Sequence, residues 1–100
     1  IASTEEKLAT PRSIADIIGT TYTDAKGFGC MWFAVFNHDG AITIRVQSTN
    51  SATAPAYDNV PVAPGNYKVW PYDGARYDLR EIFIRTDSDD PDFAIEIKWG

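Results

Sequence analysis

A large apolar residue recurs at every second position from Phe93 to Trp99. Phe93, Ile95, Ile97 and Trp99 fall on one side, and Ala94, Glu96 and Lys98 on the other. Successive side chains of a β-strand point to opposite faces, so this spacing predicts a strand with one buried and one solvated face. It assigns the four large residues to the core. Upstream lie a Pro64-Gly65 turn, an apolar/polar segment over residues 66–72, a second over 79–86 and an acidic loop over 87–92. The pattern predicts that the chain finishes as a strand hairpin, one residue before Gly100. Such a segment points to a small all-β module.

The preceding strands extend this reading. Residues 28–36 are apolar on both alternating faces, which predicts a central strand covered on both sides. Asn37-His38-Asp39-Gly40 carries turn chemistry, and Asp39-Gly40 is a hairpin signal. In residues 41–47, Ile42, Ile44 and Val46 are expected inward, with Thr43, Arg45 and Gln47 outward. Residues 48–56 are small and polar and predict an exposed loop. A short edge strand is expected at 60–62, because Pro61 lacks the N–H that a central ladder requires. Pro64-Gly65 suits a type II turn, and a strand follows over 66–70. This succession of short strands predicts a small antiparallel β-sandwich or jelly-roll-like barrel.

The first 27 residues read differently. Ser3 and Glu6 have capping-box spacing. Thr10 as N-cap and Pro11 at the first helical position open a short amphipathic helix over about residues 11–18. Ile14, Ile17 and Ile18 share one face of it, and Gly19 is its stop. Residues 20–27 read as a polar connection. The expected organisation is an N-terminal arm with a short helix over 1–27 and a β-sandwich over 28–100.

One hundred residues is the size of one domain. A hydrophobic share of 44% is enough for a core and argues against disorder. The net charge is −5 and the nine basic residues are scattered. That disfavours a nucleic-acid partner, which needs a clustered basic patch. No stretch reaches the ~20 apolar residues of a membrane span, so no membrane partner is expected. No signal-peptide pattern is visible. The sequence begins at Ile1 and not Met, so an initiating segment is expected to have been cleaved, trimmed or left outside this sequence.

Cys30 is the only cysteine and lies inside an apolar run. It reads as a buried small hydrophobe in preference to a reactive thiol. His38, the only histidine, neighbours Asp39 in a turn, where adjacent side chains seldom face each other. One His and one Cys make no zinc site. Asp87, Asp89, Asp90 and Asp92 offer oxygen ligands but lack the turn glycine and distant bidentate Glu of a helix–loop–helix calcium site. A solvated loop is the expected reading. No catalytic, cofactor or metal residue is therefore assigned. Tyr57, Tyr67, Trp70, Tyr72 and Tyr77 invite comparison with a sugar-stacking platform, yet Tyr67 and Trp70 fall on opposite faces of one strand. Tyr and Trp are also favoured anchors at protein interfaces. The candidate interface is Ile14, Ile17 and Ile18 from the helix. Tyr57, Trp70, Tyr72 and Tyr77 join it from the strands and loops.

Val60-Pro61-Val62, Pro64-Gly65, Leu79, Ile82, Ile84 and Arg85, followed by the closing strand, carry a resemblance. Together they resemble the C-terminal half of small β-sandwich virion proteins of tailed bacteriophages, of the head decoration or cement type. Asn37 after the 28–36 run suits the same pattern. The likeness spans about the last 40 residues as a short apolar pattern. It departs at the acidic loop, where a glycine-containing turn is expected. What the resemblance implies is a non-enzymatic capsid decoration protein on the outer capsid surface. It implies the major capsid protein as partner and a homo-oligomer, with a trimer favoured. The alternative is a carbohydrate-binding β-sandwich module of the fibre or tail accessory type.

Overall fold

β-Branched and aromatic residues cluster in short segments separated by Gly, Pro and Asp, and those segments become strands. A computed structural model describes residues 11–51, 53, 55–86 and 92–100. The elements in chain order are β1 (Arg12–Ser13), α1 (Ile14–Ile18), α2 (Thr20–Lys26), β2 (Gly29–Cys30), β3 (Trp32–Asn37) and β4 (Ile44–Gln47). A 3-10 turn (Ala56–Asp58) follows, then β5 (Val60–Val62), β6 (Tyr67–Trp70), β7 (Tyr77–Asp78), β8 (Phe83–Arg85) and β9 (Phe93–Lys98). One antiparallel sheet has the order β1-β8-β4-β5 and a second β6-β3-β9, with β2 and β7 forming a two-stranded ribbon. The fold is a small all-β, sandwich-like architecture.

The core lies between the two larger sheets. Phe33 and Val35 of β3 meet Ile44 and Val46 of β4, Val62 of β5 and Ile84 of β8. Ile14 of α1, Cys30 and Leu79 complete it, and all three are fully buried. Burial pushes the Cys30 thiol above its ordinary pKa. β5 pairs only with β4, at the sheet edge where Pro61 can sit. Gly65 has φ +77°, and the Asn66 N–H donates to the Ala63 carbonyl at 3.0 Å. This is the bond and the positive φ of a type II turn.

Two expected hairpins are corrected. β3 and β4 lie in different sheets, so residues 38–43 cross between sheets and Asp39-Gly40 does not close a hairpin. β8 and β9 are separated in the same way, so the chain does not finish as a hairpin. Residues 87–91 of the acidic loop, with the calcium question they raise, lie outside the described residues. Turn chemistry specifies a reversal. It does not specify whether the returning strand pairs with its predecessor or packs across from it. Gln47, expected outward, is 2% exposed. Its amide donates to the Thr49 and Ser51 carbonyls, anchoring the following loop.

The described part of the N-terminal segment is no detached arm. Arg12 and Ser13 pair with Ile84 and Phe83. The Ile14 N–H donates to Ile82 O at 2.8 Å and the Ala15 N–H to Leu79 O at 3.0 Å. The helix therefore starts later than expected, with Ser13 as the N-cap accepting from the Asp16 N–H at 3.1 Å. Thr10 and the Ser3–Glu6 spacing lie outside the described residues. Residues 20–26, expected as a connection, form α2. Three threonines give it weak helical propensity. It is bounded by Gly19 (φ +85°) and Gly27 (φ +81°), a region of backbone space that favours glycine.

Asn37 governs the crossing between sheets. It is 1% exposed at the end of β3. Its amide nitrogen donates to Ile42 O at 2.7 Å and to Val62 O at 2.9 Å. Its carbonyl oxygen accepts from the Asp39 N–H at 3.0 Å. Asp39 continues the loop, accepting from the N–H groups of Ala41 (2.8 Å) and Ile42 (3.0 Å). These bonds, Ala41 first, hold the Asp39 carboxyl below its usual pKa. A carboxyl depressed in the folded state stabilises above its unfolded pKa, and that contribution fades as pH falls through the folded value. Asp39→Asn keeps an acceptor but no charge. It is expected to unfold more easily than the parent at neutral pH, by a gap that narrows as pH falls through the folded value of the Asp39 carboxyl. Urea melts at neutral and acid pH check this; a gap independent of pH contradicts it.

Candidate functional site

Three surface features emerge from this scaffold. The first is a groove. β9 is the outer strand of its sheet, so its inner face is covered on one flank only, and Ile95, Ile97 and Trp99 are half-buried. The elbow at Gly19 sets Ile18 and Tyr22 beside them. The five residues line an apolar groove of about 270 Å³. Tyr22 is 57% exposed. The Arg76 guanidinium fastens the end of the groove by donating to Gly29 O at 3.1 Å and to the Trp99 carbonyl. The expectation that Phe93, Ile95, Ile97 and Trp99 are plain core is thus corrected. They pack against the core and also face out of it.

The second feature is the outer face of the β6-β3-β9 sheet. Register places Tyr67, Phe36 and Ala94 in one row, and Val69, Ala34 and Glu96 in the next. The Phe36 and Tyr67 rings stack at 5.4 Å with a 24° interplanar angle. The His38 ring pairs with the same Phe36 ring, at 6.4 Å and 12° from parallel. Lys98 sits over Trp32 at 4.7 Å. Ala34, in the row between them, is fully buried. β3 is therefore central in its sheet, as expected. His38 leans on Phe36 while the Asp39 carboxylate holds backbone N–H groups, so the two do not form an acid–base pair.

The third feature is a cleft of about 170 Å³ at one end of the sandwich. Its aromatic walls are Phe33, Trp70 and Tyr77; its polar rim is Gln47, Ser48 and Asp58. Trp70 stacks on Phe33 at 4.7 Å and 5°, and Tyr77 meets Phe33 edge-on at 5.2 Å and 88°.

The candidate interface residues are dispersed among these features. Ile14 is corrected to a core residue, since its side chain is fully buried where α1 closes the sandwich. Ile17 packs against that core, and Ile18 lines the groove. Trp70 and Tyr77 line the cleft. Tyr57, 91% exposed in the 3-10 turn, and Tyr72, 49% exposed between β6 and β7, line neither. Tyr22, Trp32 and Phe36 were not singled out from the sequence. The signal for Tyr22 was an aromatic flanked by helix-bounding glycines. Among the described residues, no three His, Cys, Asp or Glu side chains are grouped to hold a metal. No described helix is long and apolar enough to cross a membrane. No family model, curated protein or solved structure matches the chain.

Proposed function

We propose that the domain is a non-enzymatic virion structural protein. In this reading it decorates the outer surface of a phage head and binds the major capsid protein and copies of itself. The observation that supports it most is the apolar groove. Its parts are the helical elbow and the closing strand, and the closing strand belongs to the segment that carries the resemblance. Exposed apolar strips mark interaction sites, and an exposed Tyr at the lip is a suitable anchor. A decoration protein of this kind strengthens a shell by adding many weak contacts between neighbouring capsomers.

The test uses heads of the encoding phage stripped of the protein. The purified domain is expected to sediment with them. Tyr22→Glu is expected to weaken binding by about tenfold or more with an unchanged far-UV spectrum. A wild-type domain that stays in the supernatant, or stripped heads that resist heat as well as decorated ones, would sink the proposal. The carbohydrate-binding reading draws on the half-buried Phe36 ring and the exposed Tyr67 and His38 rings beside it. Their faces stack on one another, which leaves less flat ring surface for a sugar. Hits on a glycan array that disappear in Tyr67→Ala would favour it.

A further inference from the structure

The cleft offers a chemistry that capsid docking does not use. Its side-chain donors are mostly engaged. The Gln47 amide donates to Thr49 O and Ser51 O. The Ser48 hydroxyl donates to Asp58 Oδ2 at 2.6 Å, and the Ser48 N–H reaches the same oxygen at 3.0 Å. The Tyr77 hydroxyl donates to Pro71 O at 2.6 Å. Gln47 Oε1 already accepts from Arg85 Nε at 3.1 Å. What remains is Asp58 Oδ1, which has no hydrogen-bond partner among the described residues, since Ser48 engages only Oδ2. A carboxylate oxygen in a cleft that Trp70 and Tyr77 also line is complementary to a group that brings positive charge and N–H donors on an apolar stem. Aromatic faces attract cations through their quadrupole, and a carboxylate adds a charge-assisted hydrogen bond. An anion is disfavoured by Asp58, and a neutral apolar group leaves Asp58 Oδ1 unanswered. The cleft is smaller than the ~300–1,000 Å³ of drug-sized pockets, so it suits one such head group and no more.

We propose that this cleft is a binding site for an alkylammonium group. Asp58 Oδ1 takes the ammonium, and Trp70 and Tyr77 flank its methylene stem, with Phe33 buried behind them. The net charge of −5 favours approach of a cation. The proposal does not depend on the virion reading, because it concerns a different face and a different ligand.

The test titrates the full chain with n-butylammonium chloride and follows the Trp70 indole N–H by NMR. n-Butanol and sodium butyrate serve as neutral and anionic isosteres, and Nα-acetyl-lysine amide as the peptide-borne form. A saturable shift is expected with butylammonium, at least about tenfold weaker with butanol and absent with butyrate. Asp58→Asn, which can still accept from Ser48, is expected to weaken butylammonium binding by about tenfold. Stronger binding of acetyl-lysine amide than of butylammonium supports the site with a protein lysine as its source. The reverse order supports it with a free amine. Equal responses to butylammonium and butanol, or no saturable shift at all, overturn it. That comparison uses the unaltered chain, so it stands even if Asp58→Asn fails to fold.

Discussion

Phe33→Ala is expected to lower the unfolding free energy by about 3–5 kcal/mol, the usual range for removing a buried ring. Phe33 is 1% exposed at the middle of the central strand. It carries two ring contacts at once, the parallel stack with Trp70 and the edge contact with Tyr77. Removing it loses the burial of one aromatic side chain and leaves a void between rings fixed on two strands. Neither β6 nor β7 can close that void without breaking its ladder. Domains of this size are typically stable by only about 5–15 kcal/mol, so the loss is a large share. Phe33→Leu keeps much of the volume and loses the ring contacts, for an expected cost of about 1–2 kcal/mol. Urea denaturation should show a lower midpoint with an unchanged slope for both variants. A cost below about 1 kcal/mol for Phe33→Ala would contradict the assignment of this ring as the centre of the core.

Asn37→Ala is expected to cost about 3 kcal/mol, although it removes only a small polar side chain. The substitution leaves the carbonyls of Ile42 and Val62 and the N–H of Asp39 without their partner. The bond to Val62 is buried and spans the two sheets, from the end of β3 to β5. Water does not reach that acceptor easily, so its desolvation penalty stays uncompensated. Asn37→Asp is nearly isosteric and should be worse at neutral pH. It replaces an N–H donor by a carboxylate oxygen facing two carbonyl oxygens. Its burial disfavours the charged form, so the deficit should shrink as pH falls and the introduced carboxyl takes up a proton that it can donate. Thermal and urea melts of the two variants across pH decide this. An Asn37→Asp variant as stable as the parent at neutral pH would show that the amide does not hold the crossing.

The strands were the most legible part of the chain. Ile44, Val46 and Ile84 alternate at the strand period, and Pro61 and Pro64-Gly65 mark an edge and a turn through restrictions of their own backbone. The positions of those elements follow from the residues that form them. The helix start was less legible because two sets of signals compete: Thr10-Pro11, and Ser13 with Asp16. Pairing of Arg12 and Ser13 with β8 selected the second. α2 was missed because three threonines in seven residues argue against a helix. Of the surface features, the groove combines Ile18 and Tyr22 with residues more than 70 positions away, and no local pattern announces such a meeting.

The sequence by itself determined a small acidic all-β domain, the side-chain alternation of its strands and its proline and glycine turns. These are set by short-range backbone sterics and by the period-two exposure of side chains. Only the tertiary structure decided which strands pair. It moved β4 and β8 away from the neighbours that the turns suggested and placed β9 at a sheet edge. The physical reason is that two sheets burying one core offer each strand equivalent apolar faces. The choice between pairing and crossing then rests on long-range contacts such as the Asn37 amide on Val62. The same choice left Ile95, Ile97 and Trp99 half-covered and brought Asp58 to the mouth of an aromatic cleft. It thereby created both surfaces on which the proposed functions rest.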